Sequence, residues 1–484
     1  MTWIFPIFGR SCDCQEIRHP KNPIFDTRST ISAQIVLLTS GHSSSELMQY
    51  QKHQLFMEKP TYFFILLTIL SLRSTIICSL FDKVTDQESL IAFKSSIISG
   101  PQEILTKNWS ANASICSWMG VSCSLSHQRV TALSFSGFSF KGTILPAIGN
   151  LTFLTSLDLS FNNFTGSIPN ELSNLSCLEL VDFRFNNFTG EIPSFGNNLK
   201  LRILNLWHNS LVPYGIFNIS SIEEVHLGAN NLQLGLPKDM CNGISRLSGL
   251  YLSENLLSGQ IPFDIYKCSE LVDLAMESNH FNGSLPSSIG WLNKLQRSYV
   301  GINNFQGGVP SSLRNLSCLR ELSMEGASLT GQIPSFIFNM SSLELIDFFN
   351  NSLSGILPLY HNLPNLEQLY LHSNMLTGKL VDKIWDFKRL WYMTLSSNKF
   401  TGEIPKSFGN LTMLNFLYLD YNNFTGELPS ELGNLNLVEL NVGYNGLSGP
   451  IPFSIFNIST IEMLALGSSL QLLGFHFPIY RGFI

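Results

Sequence analysis

The sequence predicts an α/β solenoid built around one long parallel sheet, and three observations predict it. One pattern of aliphatic residues returns with a period near 24 from Val130 to residue 460. Asn is abundant, at 41 of 484 residues, and twelve of these fall at the same place in the pattern. Hydrophobic residues make up 44% of the chain and charged residues only 13%. That balance excludes a disordered chain and most nucleic-acid binders. Lys+Arg 29 against Asp+Glu 35 leaves −6 overall, and the part after residue 79 has 22 basic and 30 acidic residues, so −8. A polyanion is not the expected partner. At 484 residues the chain exceeds one ordinary core, and an elongated array answers that.

In chain order, the first interpretable element is 57–79. Met57 is followed by Lys59, then an apolar run from Tyr62 to Leu72, then small and polar residues up to Ser79. This is the layout of a secretory signal, with an apolar run too short to span a bilayer. The residues before it show no periodicity. We expect 1–56 to be an unstructured extension or a gene-model artefact, with translation starting at Met57 and the mature chain near Leu80. The alternative is a genuine extension followed by an internal signal-anchor at 62–78. Both place the remaining chain in an oxidising, glycosylating compartment.

Residues 80–129 form a segment of their own. Thr85 to Glu88 has the form of a capping box, ahead of an amphipathic stretch of Leu90, Ile91, Phe93, Ile97 and Ile98 that Gly100-Pro101 stops. Trp109 and the segment CSWMGVSC at 116–123 follow.

Fourteen units then fill 130–460, beginning at Val130, Leu154, Leu178, Leu201, Ile222, Leu247, Leu271, Leu295, Leu319, Leu343, Leu366, Leu390, Leu414 and Leu437. Positions four and six of a unit are apolar, Ser298 excepted, and position eleven is Leu or Phe throughout. Position nine is Asn in twelve units, with Phe138 and Ala327 as exceptions, and ten units continue into Gly-x-aliphatic-Pro. Alternation at four and six predicts a short strand with those side chains inward and positions five, seven and eight outward. Such a strand cannot stand alone, so stacked units form a parallel sheet over a continuous core. An Asn at the strand's end can donate and accept together, and so bridge the turns of adjacent units. The Gly permits a sharp bend, and the Pro suits the edge of a second, poorer strand. Fourteen strands at ~4.8 Å give an inner sheet on the order of 65 Å long. The fourth unit is three residues short between Leu211 and Val212-Pro213, which predicts a local dent away from the main sheet. The eleventh keeps Gly378 but has Val381 in place of Pro.

The form LTSLDLSFNNFTGSIPNELSNL at 154–175 resembles the plant-specific class of leucine-rich repeat, and 85–123 resembles the N-terminal cap of plant leucine-rich-repeat receptor kinases. The recurring IFNISS, IFNMSS and IFNIST at 216–221, 337–342 and 455–460 resemble the subgroup with the receptors for bacterial flagellin and elongation factor Tu. The resemblance covers 80–460. It implies a plant-type leucine-rich-repeat superhelix with a parallel inner sheet, a Trp109 packed over the first repeat, and a Cys116–Cys123 disulfide in a helical cap. It also implies an ectodomain binding a peptide or protein ligand in defence or development signalling. A co-receptor kinase ectodomain is the implied second partner, and the outer side of the plasma membrane or the apoplast the implied location. A full family member continues into a paired-Cys C-terminal cap, a membrane helix and a Ser/Thr kinase, which we expect to be missing. The fifteenth unit starts at Ile461, Leu464 and Leu466 but has Ser469 where the ladder Asn belongs, so 461–484 are expected to be degenerate, uncapped and frayed.

No motif for catalysis, cofactor or metal is present: no phosphate-cradling glycine loop, HRD, DFG, HExxH or GxSxG. His208 and His372 sit on outward positions without a partner at metal spacing. A secreted Cys116/Cys123 pair reads as a disulfide more readily than as a metal site. Cys177, Cys241, Cys268 and Cys318 fall late in their units and are expected to be small buried thiols, with no pairing deducible. Glu223-Glu224 reads as solvated surface. Fourteen sequons follow the signal, at Asn108, Asn112, Asn150, Asn163, Asn174, Asn187, Asn218, Asn282, Asn315, Asn339, Asn350, Asn410, Asn423 and Asn457.

The candidate ligand face is the set of outward side chains Arg184, Phe185, Trp207, His208, Tyr251, Glu254, Glu277, Tyr299 and Glu325, with Tyr418, Asp420, Tyr421 and Tyr444 further on. Aromatic and Arg side chains are frequent anchors of interfaces. The three Glu beside Trp207, Tyr251 and Tyr299 suit a basic, extended peptide. Two other readings compete with a receptor ectodomain: a secreted inhibitor of a pathogen's cell-wall hydrolase, similar to the polygalacturonase-inhibiting proteins, and a non-functional receptor gene fragment.

Overall fold

The computed structural model describes residues 84–472 apart from residue 111 and segments 196–199, 213–215, 359–360, 383–386 and 468–470. The expected extension, the signal, the dent at Pro213, Ser469 and the apolar tail after Leu472 lie outside the described residues. The fold below is that of the unit Thr85–Ile484.

Sixteen strands form the inner sheet, ordered as they occur in the chain from Val121–Cys123 and Val130–Ser134 to Met463–Ala465. All pair parallel except the first two, which are antiparallel. Register is kept from unit to unit: Leu157 faces Val181, and Val181 faces Leu204. Each of these inward residues is fully buried. Behind them the residues of position eleven fill the core, with Phe164 on Phe188 at 6.1 Å and Phe400 on Phe424 at 6.2 Å between ring centres. The two strands beyond fourteen come from the cap and from the fifteenth unit. That unit therefore joins the sheet at 463–465, although Leu464 and Leu466 are only half-buried.

The Asn ladder holds the units together. Asn162 Nδ2 donates to the carbonyls of Phe135 in the preceding unit and Leu159 in its own, at 2.7 and 3.0 Å, while its Oδ1 accepts from Phe140 N at 2.9 Å. The same arrangement recurs as far as Asn445. At the exception Ala327 the next unit's Asn351 accepts from both Ala327 N and Leu329 N.

On the outer side, short second strands form separate sheets of five, three and seven strands. The Gly that follows has positive φ, +90° at Gly378, where a Cβ would also meet Ile356 Cγ2 at 2.6 Å. The Pro does not sit on a strand edge as expected. It lies past the strand and caps a one-turn 3-10 helix, as Pro169 caps Asn170–Asn174. Its fixed φ and missing N–H suit a helix start.

The cap differs from expectation in detail. Residue 84 is already helical, so Thr85 lies within the helix and does not cap it. Helix ends at residue 96, and Ile97–Ser99 form a strand antiparallel to Lys141–Gly142, with Ile91 and Ile98 exposed. The reason is a docking contact: Ile97 turns into the core edge, and a β pairing replaces another helical turn. Asp86 instead fixes this helix to the end of the cap and the start of the first repeat. Buried at 1% exposure, it takes both Arg129 Nε and Nη2 at 2.8 Å and also accepts from Val130 N. Trp109 stacks on Trp118 at 4.8 Å and lies near Phe135 of the first repeat at 5.8 Å. Cys116 and Cys123 are joined.

A second disulfide corrects the expectation of four buried thiols. Cys241 and Cys268 are bonded, because the late turns of the fifth and sixth units stack with their Cα atoms 5.1 Å apart. Cys177 and Cys318 are thiols. No helix among the described residues is long and apolar enough to cross a membrane.

Candidate functional site

Most inner strands span positions three to five only, as Ser156–Asp158 shows, and the chain leaves them through a left-handed residue at position eight. Phe161, Phe185, His208, Glu254, Tyr421 and Tyr444 all have φ between 52° and 57°. Adjacent turns enforce this. Phe185 N donates to Trp207 O at 2.8 Å and Asn186 N to His208 O at 3.2 Å, so each exit turn is clamped by the next. Position eight is thereby held out of the core, and its side chains stack along the array.

Four groups of side chains result. The first is aromatic. Phe161, Phe185 and His208 stack at 4.8 and 5.0 Å, and the Arg184 guanidinium lies 5.2 Å above Phe161. Arg184 also reaches Asp182 at 3.4 Å. Trp207 lies against Gly228, where a Cβ would come within 3.3 Å of the indole. Phe161 and Phe185 remain 48% and 40% exposed, a cost that nothing in the core requires.

The second group ties Tyr251 and Tyr299 into the sheet. Tyr251 stacks on His226 at 4.2 Å and donates its hydroxyl to Asp273 Oδ2 at 2.8 Å; Arg297 binds the same oxygen. Tyr299 donates to Glu321. Burial, then the neighbouring carboxylates, hold both phenols well above their usual range. These two rings therefore offer faces and edges to a ligand, with their hydroxyls already engaged. The sequence reading missed Asp273, Arg297 and Glu321, because position three was not counted among the outward positions, and His226, which stands at outward position five without a local mark. Glu223 and Glu224 are likewise engaged, with Arg202 and His226.

The third group is acidic. Glu254 is exposed, Glu277 and Glu325 are half-buried, and Asp347 stands beside Glu325. Burial raises the Glu277 carboxyl, aided by repulsion from Glu254 and Glu325, and its Oε2 has no hydrogen-bond partner. Burial pushes Asp347 up to about 7, against the Phe349 N–H that it accepts at 3.0 Å and with the help of Glu325. None of these four carboxyls has an ion pair with a base among the described residues. Gly301 separates Glu277 from Glu325, and a Cβ there would sit 2.8 Å from Glu325 Cγ. Asp347 was the residue missed here, being one unit past the stretch considered.

The fourth group is Tyr421 on Tyr444 at 4.2 Å, both about half exposed, with Tyr418 donating to Glu439 and Asp420 accepting from Ser396. His372 stacks on Phe349 at 3.9 Å, and burial lowers it to about 4, so it is neutral. No cluster of three or more metal-ligating side chains occurs among the described residues. Every sequon Asn is exposed.

Comparison with known proteins agrees with this architecture. The leucine-rich-repeat N-terminal domain family matches residues 85–124, and the leucine-rich-repeat family matches 153–175, 389–411, 413–435 and 436–458. The Arabidopsis thaliana LRR receptor-like serine/threonine-protein kinase EFR is 36% identical over 77 residues, 16% of this chain and 8% of that kinase. The plant peptide hormone receptor RGFR1, solved with RGF2, superposes with a TM-score of 0.64 at 28% identity, covering 68% of this chain and 57% of that one. The GASSHO1/SCHENGEN3 ectodomain of Arabidopsis thaliana, solved with CASPARIAN STRIP INTEGRITY FACTOR 2, gives 0.56 at 29% identity over 79% and 55%. The chain thus spans under a tenth of the curated kinase and a little over half of each solved ectodomain. The described residues have leucine-rich-repeat architecture, with a cap and repeats similar to those of plant receptor kinase ectodomains.

Proposed function

We propose that this protein is the extracellular ligand-recognition region of a plant receptor kinase or receptor-like protein, binding an extended peptide across the inner strands of repeats two to ten. One observation carries the reading. Exposed stacked aromatics at Phe161, Phe185 and His208 continue into four carboxyls without basic partners, and the core needs neither group. An extended chain laid across parallel strands meets both in turn, stacking on the rings and placing cationic side chains near Glu254, Glu277, Glu325 and Asp347. Burying a charge is favourable only when paired, so unpaired, half-buried carboxyls await a cation. One similar ectodomain is that of a plant peptide hormone receptor solved with RGF2, and another was solved with CASPARIAN STRIP INTEGRITY FACTOR 2, which supports the ligand class. Two disulfides support an oxidising, extracellular location, and the exposed sequons fit it. Signalling in defence or development belongs to the same proposal.

The test is a synthetic library of extended peptides of graded charge, presented to the secreted full chain. Basic members should bind best. Phe185→Ala combined with Glu325→Gln should weaken them at least tenfold, whereas Phe263→Ala with Trp291→Ala on the outer turns leaves binding intact. Loss confined to the outer variant would place the ligand on the other side.

A further inference from the structure

Thirteen of the fourteen sequon asparagines lie in the cap, on or beside second strands, or on or beside the one-turn outer helices; Asn163, Asn174 and Asn410 are examples. Asn350 is the exception. It occupies position eight of the tenth repeat, at the exit of inner strand Leu345–Asp347, with φ of 54°. It is exposed, and its N–H is fixed to His372 O at 3.1 Å. The neighbouring Asn351 commits its amide to the ladder, donating to Met324 O and accepting from Leu329 N. Asn350 is held by its backbone and leaves its amide to solvent.

The surroundings leave room for something large. Along the array position eight is bulky at Phe161, Phe185, His208, Glu254 and Ile302, with single small residues at Ala229 and Ser278 between them, and bulky again at Tyr421 and Tyr444. On either side of Asn350 it is Gly326, Ser373 and Ser397. A Cβ on Gly326 would already stand 3.7 Å from Asn350 Nδ2. Beside it Phe349 and His372 form a stacked, half-buried pair, a flat aromatic surface of the kind on which the apolar face of a pyranose ring packs.

We propose that Asn350 carries an N-linked glycan that stands on the inner face and interrupts it from the exit of repeat ten to repeat twelve. The inference rests on the extracellular reading above. The donor is a lipid-linked oligosaccharide pyrophosphate. Asn350 Nδ2 bonds to the anomeric carbon as the carbon–oxygen bond to pyrophosphate breaks, and the amide proton leaves with the lipid pyrophosphate. The glycan divides the face. Repeats two to ten, with the aromatic stack and the acidic group, form one open stretch, which the sugar bounds beside Asp347. Repeats thirteen and fourteen, with Tyr421 and Tyr444, form another. A peptide running along the first stretch ends at the sugar, so Asn350 sets its length.

The full chain, secreted from plant cells, tests this by glycopeptide mass spectrometry and hydroxyl-radical footprinting. Asn350 should be glycosylated, and oxidation of Phe349 should rise severalfold in Asn350→Gln while that of Phe161 stays constant. Ser352→Ala removes the acceptor motif without touching the left-handed residue and should give the same rise. Glycans at other sites with Asn350 bare, or unchanged Phe349 oxidation in both variants, would overturn the inference alone. Absence of glycans from every site would overturn the extracellular reading with it.

Discussion

At Asn303 one carboxamide answers four backbone groups: it donates to the carbonyls of Met276, Val300 and Gly301 at 2.9–3.1 Å and accepts from Phe281 N at 3.0 Å. Leaving any one buried group unpaired costs ~1–3 kcal/mol, which explains a single residue type at twelve positions nine. Asp347 sits at the opposite extreme, a carboxyl that the fold disfavours in its charged form. Its value rises from 3.8 to about 7, chiefly through burial. A carboxyl that holds its proton more tightly when folded adds no penalty below about pH 4. The penalty grows as pH climbs towards 7 and is complete above it. Asp347→Asn keeps the acceptor for Phe349 N and removes the charge. It should therefore stabilise the protein at pH 8 by on the order of 2 kcal/mol, and leave it unchanged near pH 4. Denaturant unfolding at the two pH values reads the difference; an equal effect at both would show that the charge is not the cause.

Elements were legible where the period carried them. The inner strands, the ladder and the positive-φ Gly follow from spacing alone, because each answers a need that recurs in every unit. The cap does not repeat, and there local signals lost to tertiary ones: the Thr85 capping box yielded to Asp86, which pairs with Arg129 and accepts from Val130 N at the start of the first repeat, and Ile97 yielded helix for strand. The Cys241–Cys268 bond was open to discovery, since two cysteines a unit apart must fall on adjacent turns. It closes a loop of 27 residues across the fifth and sixth repeats, where the outer sheet is interrupted between Ser210–Val212 and Ser258–Gly259. The covalent bond thus reinforces units whose outer segments are otherwise joined through Leu256 N to Leu232 O and Ser258 N to Leu234 O, each at 2.9 Å. Replacing both cysteines with Ser should lower unfolding stability by about 2–4 kcal/mol, the chain-entropy range for such a loop. An unfolding midpoint insensitive to the double change would leave the bond without a structural role.

Over the whole array, the site was harder to read than the fold, for a physical reason. The core constrains positions four, six, nine and eleven identically, whereas the inner face constrains nothing by repetition. Arg184, Phe185, Trp207 and His208 were legible because aromatics stand out against small neighbours. The engagement of Tyr251 with Asp273, and of Asp347 beside Glu325, depends on contacts between different units and left no local mark. The same one-dimensional order governs stability. Each repeat touches only its neighbours, so protection against exchange depends on how fully both sides of a unit are covered. Interior strands such as Phe416–Tyr418, two places in from the end of the inner sheet, are paired on both sides, with Leu417 fully buried. Met463–Ala465 pairs with Glu439–Asn441 and keeps Leu464 and Leu466 only half-buried. Amide hydrogen exchange should therefore be slowest through the centre and faster at Leu464 than at Leu417 by a factor well above ten, since ~1.4 kcal/mol of local opening energy is tenfold in rate. Two causes predict different patterns. Loss of coverage on one side speeds exchange at 463–465 and spares Leu417, whereas a weak core throughout speeds both. Equal, slow exchange at Leu464 and Leu417 would show that the last inner strand is as well supported as one paired on both sides.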